Sequence, residues 1–415
     1  MVTDRTKAIL LFTSYFAKNS DRNLKPLTTT EWNRFVRFLQ TKGINPEDFL
    51  AQNSAELLDN LRDKTISSER INFLLDRKSS LAIALDKWSK AGIWIINRGD
   101  SEYPKRIKNK LKENAPPILF GIGRIELLNQ SYIGVVGARK SSEQELNDTK
   151  RIGSKITRDK FGVVSGGAIG VDEAAMLGAL EAGGFSLGFV ADSLIKKSTS
   201  SIFRKFIIKK QLCLASPYNP EAGFNVGNAM ARNKLIYTQS EATIVMKSDI
   251  KGGTWEGAKE NIKKGWVPIW VINNDGKGNN EIVKMGAKKL SINDDWNISK
   301  LTEHHSKFNE LELFSLSNSE TPSEGEKNKT TLDLNRSEFQ IKIKEASLFD
   351  LFLVKLIDHF KNKTVTKKEM KEELKLTNSQ LDEWLKMGTE RDFLIKTSKP
   401  LSFMINPKMN IRIVI

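Results

Sequence analysis

One cysteine, Cys213, and three histidines, His304, His305 and His359, are all the thiol and imidazole in 415 residues. A single cysteine excludes an internal disulfide and fits a reducing compartment. A zinc site needs His or Cys pairs at close spacing, and none exists, so no metal is expected. No histidine falls near the glycine-rich middle of the chain, so a Ser–His or Cys–His nucleophile is not expected there, and no catalytic residue is assigned. No run reaches the roughly 18 apolar residues of a membrane helix. The first twenty residues hold a short apolar stretch without a small-residue cleavage site. Neither a membrane span nor a signal peptide is expected, which points to the cytoplasm. Two phosphate-binding fingerprints are also missing. G-x-x-x-x-G-K-[ST] does not occur, and Gly121-Ile122-Gly123 lacks the third glycine of a dinucleotide loop. No ATPase loop and no dinucleotide cofactor are expected, and no cofactor of another kind is called for.

Positive charge is abundant. Sixty-six Lys and Arg stand against 50 Asp and Glu, a formal net charge of +16. That surplus favours a polyanion as partner, although a lysine-rich solvated surface has the same composition.

Hydrophobic spacing divides the chain into four stretches. Residues 1–115 read as an N-terminal helical domain; TTTEWNRFVRFLQTKG, with Thr30 as a candidate N-cap and Gly43 as a stop, is its clearest helix. Residues 116–300 alternate short apolar runs (YIGVVG, GVVSGG, FSLGFV, LCLAS, ATIVMK, VPIWVIN) with helical segments. Repeated βα units predict an α/β fold, a Rossmann-like doubly wound parallel sheet with helices on both faces. Residues 301–345 are polar and aperiodic and read as a linker. Residues 346–415 read as three helices and a hairpin, a winged helix that suits either DNA or a protein partner.

In such sheets ligands bind beyond the carboxyl ends of the strands. Four loops follow strands, at 137–142, 165–170, 217–223 and 248–254, and they are expected to share one rim. In the first, Gly137 permits close backbone approach, Arg139 is a bidentate donor, and Ser142 with Glu145 makes a capping box. In the second, Ser165, Gly166 and Gly167 open a helix start with Asp172 as a cap or loop-orienting carboxylate. Ser165 has no evident base and reads as a turn residue. In the fourth, Gly252, Gly253 and Thr254 repeat the strand–glycine–helix pattern that seats an anion; Trp255 after them suits core packing or base stacking. Arg232, Asn233 and Lys234 lie mid-helix, where only some of the three can turn inward.

Taken together, GIWIINRGDSEYPKRIKNKL, GVVGARKSS, GVVSGGAIGVDEAAMLGALEAGG, ARNKLIY and GGTWEGA resemble the DprA/Smf family of DNA-processing proteins in order and spacing, over nearly the whole chain. The resemblance implies single-stranded DNA as ligand, a homodimer, a RecA-type recombinase as a partner, and binding rather than catalysis. It carries Arg139, Ser165, Gly166, Gly167, Arg232, Asn233 and Lys234 over as DNA contacts. The chain departs from the family's pattern at several points. Ile169 stands where a basic residue is usual, Met176 where histidine is, and Ala229-Met230 where Phe-Pro is, with Phe224 a substitute for the aromatic. GGTWEGA is also similar to the PGGxGTxxE motif of the "lonely guy" nucleotide phosphoribohydrolases, which share the broader SLOG fold. Here Glu256 comes one place early, and one residue turns a helical side chain by about 100°. The alternative function is therefore a nucleotide-sensing SLOG regulator or an N-glycosidase-like hydrolase.

Overall fold

A computed structural model describes residues 2–16, 24–51, 54–274, 276–302, 337–342, 352–353, 356, 364–374, 378–390, 393–398, 401–405 and 409–414. They belong to two compact units, Met1–Leu311 and Glu312–Ile415. The three histidines and residues 303–336 of the expected linker lie outside the described residues.

The first unit begins with α1 (Asp4–Thr13), α2 (Thr29–Lys42), α3 (Asp48–Ala51), α4 (Ser54–Leu57), α5 (Ser68–Leu75) and α6 (Lys78–Lys90). The N-cap of α2 is Thr28, not Thr30. Thr28 has Glu31 at the third helical position, and the two close a reciprocal capping box that Thr30, already inside the first turn, cannot form. Gly43 ends the helix in the left-handed region at φ 69°, where a side chain is disfavoured. Phe12, Trp32, Phe35 and Phe49 meet edge-on, stacked or tilted with ring centroids 5.3–6.2 Å apart. The buried residues of α1 share one continuous core with the sheet that follows.

That sheet has nine strands in the order β1-β2-β6-β5-β4-β3-β7-β8-β9. They are β1 (Trp94–Asn97), β2 (Ile118–Gly123), β3 (Tyr132–Val136), β4 (Gly162–Ser165), β5 (Ser186–Phe189), β6 (Leu212–Ser216), β7 (Ala242–Val245), β8 (Ile269–Ile272) and β9 (Lys288–Leu290). Strands β3 to β9 run parallel. The six strands expected from the sequence, β3 to β8, are among these; two strands not expected, β1 and β2, extend one edge, where β2 pairs antiparallel with both β6 and β1. Trp94–Asn97 also lies within the stretch read as helical. Its four residues are too few to show a period, and pairing with β2 decides its state.

Helices cover both faces of the sheet. The α8 (Glu143–Arg158), α9 (Val171–Glu181) and α11 (Ser201–Ile208) side is packed with alternate strand residues such as Ile133, Val135 and Val163. The α7 (Lys105–Leu111), α12 (Val226–Gln239), α13 (Gly253–Lys264) and α14 (Lys277–Lys284) side takes the intervening Tyr132, Val136 and Val164. Period-two strands buried on both faces read as apolar runs, as these do. Each fully buried Val, Leu or Ile contributes about 1.5–3 kcal/mol. Two more helices, α10 (Leu194–Thr199) and α15 (Ile298–Thr302), complete the unit. From β3 the chain steps outward through β4, β5 and β6, then returns to the other side of β3 for β7 and β8. The order therefore reverses at β3, and a crevice is expected above its carboxyl end.

In the second unit, helices Lys367–Leu374 and Asn378–Glu390 accompany a three-stranded antiparallel sheet of Val365–Thr366, Leu401–Ile405 and Leu394–Ser398. The hairpin expected from FLIKTSKPLSFMI is the pairing of the last two. Its core includes Phe352, Leu356, Met370, Leu381, Leu385 and Phe403. The helix expected ahead of these lies largely outside the described residues. Strands Ser337–Lys342 and Met409–Val414 pair parallel as a separate two-stranded sheet. No helix among the described residues is long and apolar enough to cross a membrane.

Candidate functional site

The loops after β3, β4 and β7 converge above the reversal point and enclose a cavity of about 420 Å³. A second, of about 240 Å³, adjoins it on the β4–β5 side and shares Arg139, Phe224 and Arg232. Gly137, Arg139, Arg232, Asn233, Gly252, Gly253 and Thr254 line the larger cavity; Gly166 and Gly167 line the smaller. Ser142, Ser165 and Lys234 line neither.

The floor is built from two opposite charges. Arg232, on α12, is 5% exposed, and its guanidinium donates to the carbonyl of Gly166 at 2.7 Å and to that of Phe189. Asp172, in the first turn of α9, faces the Ser165 hydroxyl and the backbone N–H groups of Ala168 and Gly137, all of which favour its charged form. Burial pushes the Asp172 carboxyl up, opposed by Arg232; burial pushes the Arg232 guanidinium down, opposed by Asp172. Position 166 must be glycine because a Cβ there would overlap both groups. Gly170 is fixed by conformation as well as space. Its φ is 98°, and an added Cβ would lie 2.7 Å from the carbonyl oxygen of Ala138.

Ser165 is wholly buried, and its hydroxyl donates to the Val135 carbonyl at 2.6 Å, tying β4 to β3. The turn role expected of Ser165 is corrected: it is instead the last residue of β4, and its hydroxyl bridges two strands. The Ser142 hydroxyl accepts from the Glu145 N–H at 3.2 Å while Glu145 accepts from the Ser142 N–H at 2.7 Å. Lys247 completes that corner, 2.8 Å from Glu145. Asn233 donates from Nδ2 to the Gly253 carbonyl at 3.0 Å and so holds α12 to the start of α13. Lys234 is half-buried, and burial lowers its ammonium pKa against the pull of Glu260.

The rim carries the groups that a ligand would meet. Arg139 is exposed, has no ion pair among the described residues, and lies with its guanidinium 4.6 Å from the centroid of the Phe224 ring. Lys140 and Lys251 line the larger cavity and Lys197 the smaller. Ile169 (72% exposed), Phe224 and Val226 (63%) make the mouth partly apolar. Helix α13 has Gly252, φ 99°, as its N-cap and no side-chain cap, so its first N–H groups remain available to an anion. Trp255 is half-buried and packs on the sheet core, away from a stacking role.

Sequence reasoning missed Tyr237. It lines the larger cavity, is 1% exposed, and its hydroxyl has no hydrogen-bond partner among the described residues; burial pushes its pKa up. Arg232 Nε is orphaned in the same way. Buried polar atoms left unpaired beside a cavity point to an absent ligand or water. No group of three or more His, Cys, Asp or Glu is placed to hold a metal among the described residues.

The family model described as DNA recombination-mediator protein A matches residues 94–300. Protein Smf of Synechocystis sp. is 27% identical over 167 residues, 39% of this chain and 41% of that protein. DNA processing protein DprA of Streptococcus pneumoniae is 24% identical over 188 residues, 44% of this chain and 66% of that protein. The chain thus spans less than two thirds of the length of either. The X-ray structure of DprA from Streptococcus pneumoniae superposes with a TM-score of 0.55 at 19% identity, covering 68% of this chain and 97% of that one; this likeness speaks for the fold.

Proposed function

Because the chain belongs to the DprA/Smf family of DNA-processing proteins, we propose that it binds single-stranded DNA and acts as a recombination mediator. The observation that carries the reading is Arg139, exposed and unpaired over Phe224, at the mouth of a glycine-walled cavity. Arginine grips a phosphate, the aromatic face takes a base, and glycine loops admit the backbone. Gly137, Gly166, Gly167, Gly252, Gly253 and Thr254 supply the walls. Arg232, Ser165 and Asn233 act behind them by holding the loops. A homodimer and a RecA-type recombinase partner follow from the family alone. The proposed organisation is a helical segment, a Rossmann-like core, a tether and a winged helix at 346–415; β1 and α7 carry the core's start ahead of residue 116, and α15 carries its end past residue 300.

Anisotropy titrations with single-strand, duplex and mononucleotide ligands at two salt concentrations test this. Single strands are expected to bind best, with log K falling as log salt rises. Arg139→Ala is expected to reduce that slope by about 0.7 and leave the melting temperature unchanged. No single-strand binding at moderate salt, or an Arg139→Ala variant that binds like the parent, defeats the proposal.

Tyr237 favours a second reading. Its orphaned hydroxyl, in a cavity within the usual ~300–1,000 Å³ of small-ligand sites, suits a free nucleotide held for sensing. The hydrolase version has weaker support, since Glu256 is exposed and outside the lining, where the carboxylates are Asp172 and Asp249. A nucleotide that binds only the folded state raises the melting temperature by mass action. A flat response across a nucleotide panel removes this reading.

A further inference from the structure

Between Ser193 and Pro220 the chain holds Lys196, Lys197, Arg204, Lys205, Lys209 and Lys210 and no Asp or Glu. Five of the six are exposed and Lys197 is half-buried. Among the described residues no carboxylate lies within 4.0 Å of any of them. The segment is α10 and α11, anchored on β6 and β2 by buried Leu194, Phe203 and Phe206. With Phe203, Phe206 and half-buried Ile207 turned inward, the 3.6-residue period turns Arg204, Lys205 and Lys209 outward. Ile208 shares that face at 70% exposure. Three cations near the end of α11 exceed what a helix dipole needs, and Arg204 lies ahead of its last turn; Lys196 and Lys197 are in the last turn of α10.

The patch is continuous with the site. Lys197 lines the smaller cavity beside Gly166 and Gly167. From there α11 leads back along the sheet, about 12 Å at 1.5 Å per residue, toward the start of β6.

We propose that α10 and α11 form a second phosphate-binding track, over which a single nucleic-acid strand runs on leaving the glycine cavity. This rests on the single-strand reading above and extends it. Ile202 and Ile208, the exposed isoleucines of α11, are isolated among six cations and suit a flexible polyanion better than a lipid surface, which takes a continuous apolar face. The cavity seats the first nucleotides, and the track adds affinity only to strands long enough to reach it.

The full-length protein is titrated over a salt series with oligothymidylates of about 5 and about 25 nucleotides, chosen to bracket the roughly 4–16 nucleotides that an OB-fold single-strand site covers. The triple variant Arg204→Gln/Lys205→Gln/Lys209→Gln is expected to reduce the long-strand slope of log K against log salt by about 2, at 0.7 per phosphate. Its short-strand Kd is expected to stay at the parent's value. Lys205→Arg/Lys209→Arg, which retains charge, is expected to retain the long-strand slope. A triple variant that binds long strands with the parent's Kd and slope overturns the track and leaves the cavity reading standing. A parent that binds neither length overturns both. Vesicles containing phosphatidylserine that need these cations, while long-strand binding does not, assign the patch to a membrane surface and overturn the proposal.

Discussion

Replacing Arg232 by methionine separates a brace from a ligand contact. The side chain is buried, and it donates to Gly166 O at 2.7 Å and to Phe189 O beside Asp172. Methionine keeps much of the length and donates nothing. Two buried carbonyls then lose charge-assisted donors, each worth about 1.5–3 kcal/mol. Asp172 also loses a neighbouring cation that favours its charged form, at more than ion-pair distance. These effects share one side chain and do not add, so a total loss of about 3–5 kcal/mol is expected. The loss has a pH signature. Burial already raises the Asp172 carboxyl, and Arg232 is the strongest influence holding it down, so the variant's folded-state pKa rises further. The folded state then retains a proton that the unfolded state releases. The extra instability is therefore least below the ordinary Asp pKa and grows as pH climbs through the folded pKa. Urea unfolding at pH 5 and pH 7, with strand binding measured on the folded fraction, reads both effects. Arg232→Met/Asp172→Asn is expected to recover the part of the loss that comes from Asp172, since apolar or neutral replacement of both partners is often tolerated. A variant as stable as the parent at both pH values, yet bound to DNA more than about tenfold more weakly, would refute the brace.

Ile169→Lys is expected to steepen the salt dependence of strand binding by about 0.7. It should change stability by less than about 0.5 kcal/mol, because Ile169 is 72% exposed at the mouth of the smaller cavity. An unchanged slope would mean that the strand does not pass that mouth. In the helical segment, burial works to raise the Glu31 carboxyl, but hydrogen bonds from Arg70 and Thr28 outweigh it and bring the pKa down to about 2. A depressed carboxylate stabilises above its unfolded pKa and loses that contribution as pH falls toward the folded value. The urea midpoint should therefore fall between about pH 5 and pH 2, and fall less steeply in Arg70→Met, which lacks the 2.8 Å partner. Parallel pH profiles in the two proteins would remove Glu31 as the cause.

The central strands were legible because YIGVV, GVVS and ATIV are apolar runs bounded by glycine or polar residues, the mark of strands buried on both faces. The rim was legible for the same reason, since a parallel strand fixes the end at which its following loop lies. The antiparallel edge was not. WIIN has four residues, and nothing local states that ILFGIG pairs with LCLAS across some 90 residues of chain. Arg232 shows a signal that was present and passed over. Arg232, Leu235, Ile236 and Gln239 follow the i, i+3, i+4, i+7 spacing, and all four are buried. Arginine continues the apolar stripe of α12, and the helix period named its direction more reliably than its charge did. Tyr237 had no comparable mark, because its orphaned hydroxyl is a property of the assembled cavity.

The bracing role of Arg232 limits what the cavity itself can do. Its two buried charges, Arg232 and Asp172, offset each other, so the floor offers little net attraction to a polyanion. Attraction then rests on the lining cations of the rim, Arg139, Lys140, Lys251 and Lys197, partly countered by Asp249 and Asp192. Four phosphate contacts at 0.7 each bound the salt slope near 3. Ile169 takes a position where a fifth cation would have fitted and gives the mouth an apolar surface. Together with Phe224 and Val226 it shifts the balance of binding from phosphates toward bases. A strand held by the cavity alone would therefore bind with modest salt dependence, and a slope well above 3 requires cations outside it. Under the proposed track, the cations of α10 and α11, which adjoin the smaller cavity through Lys197, would supply that excess.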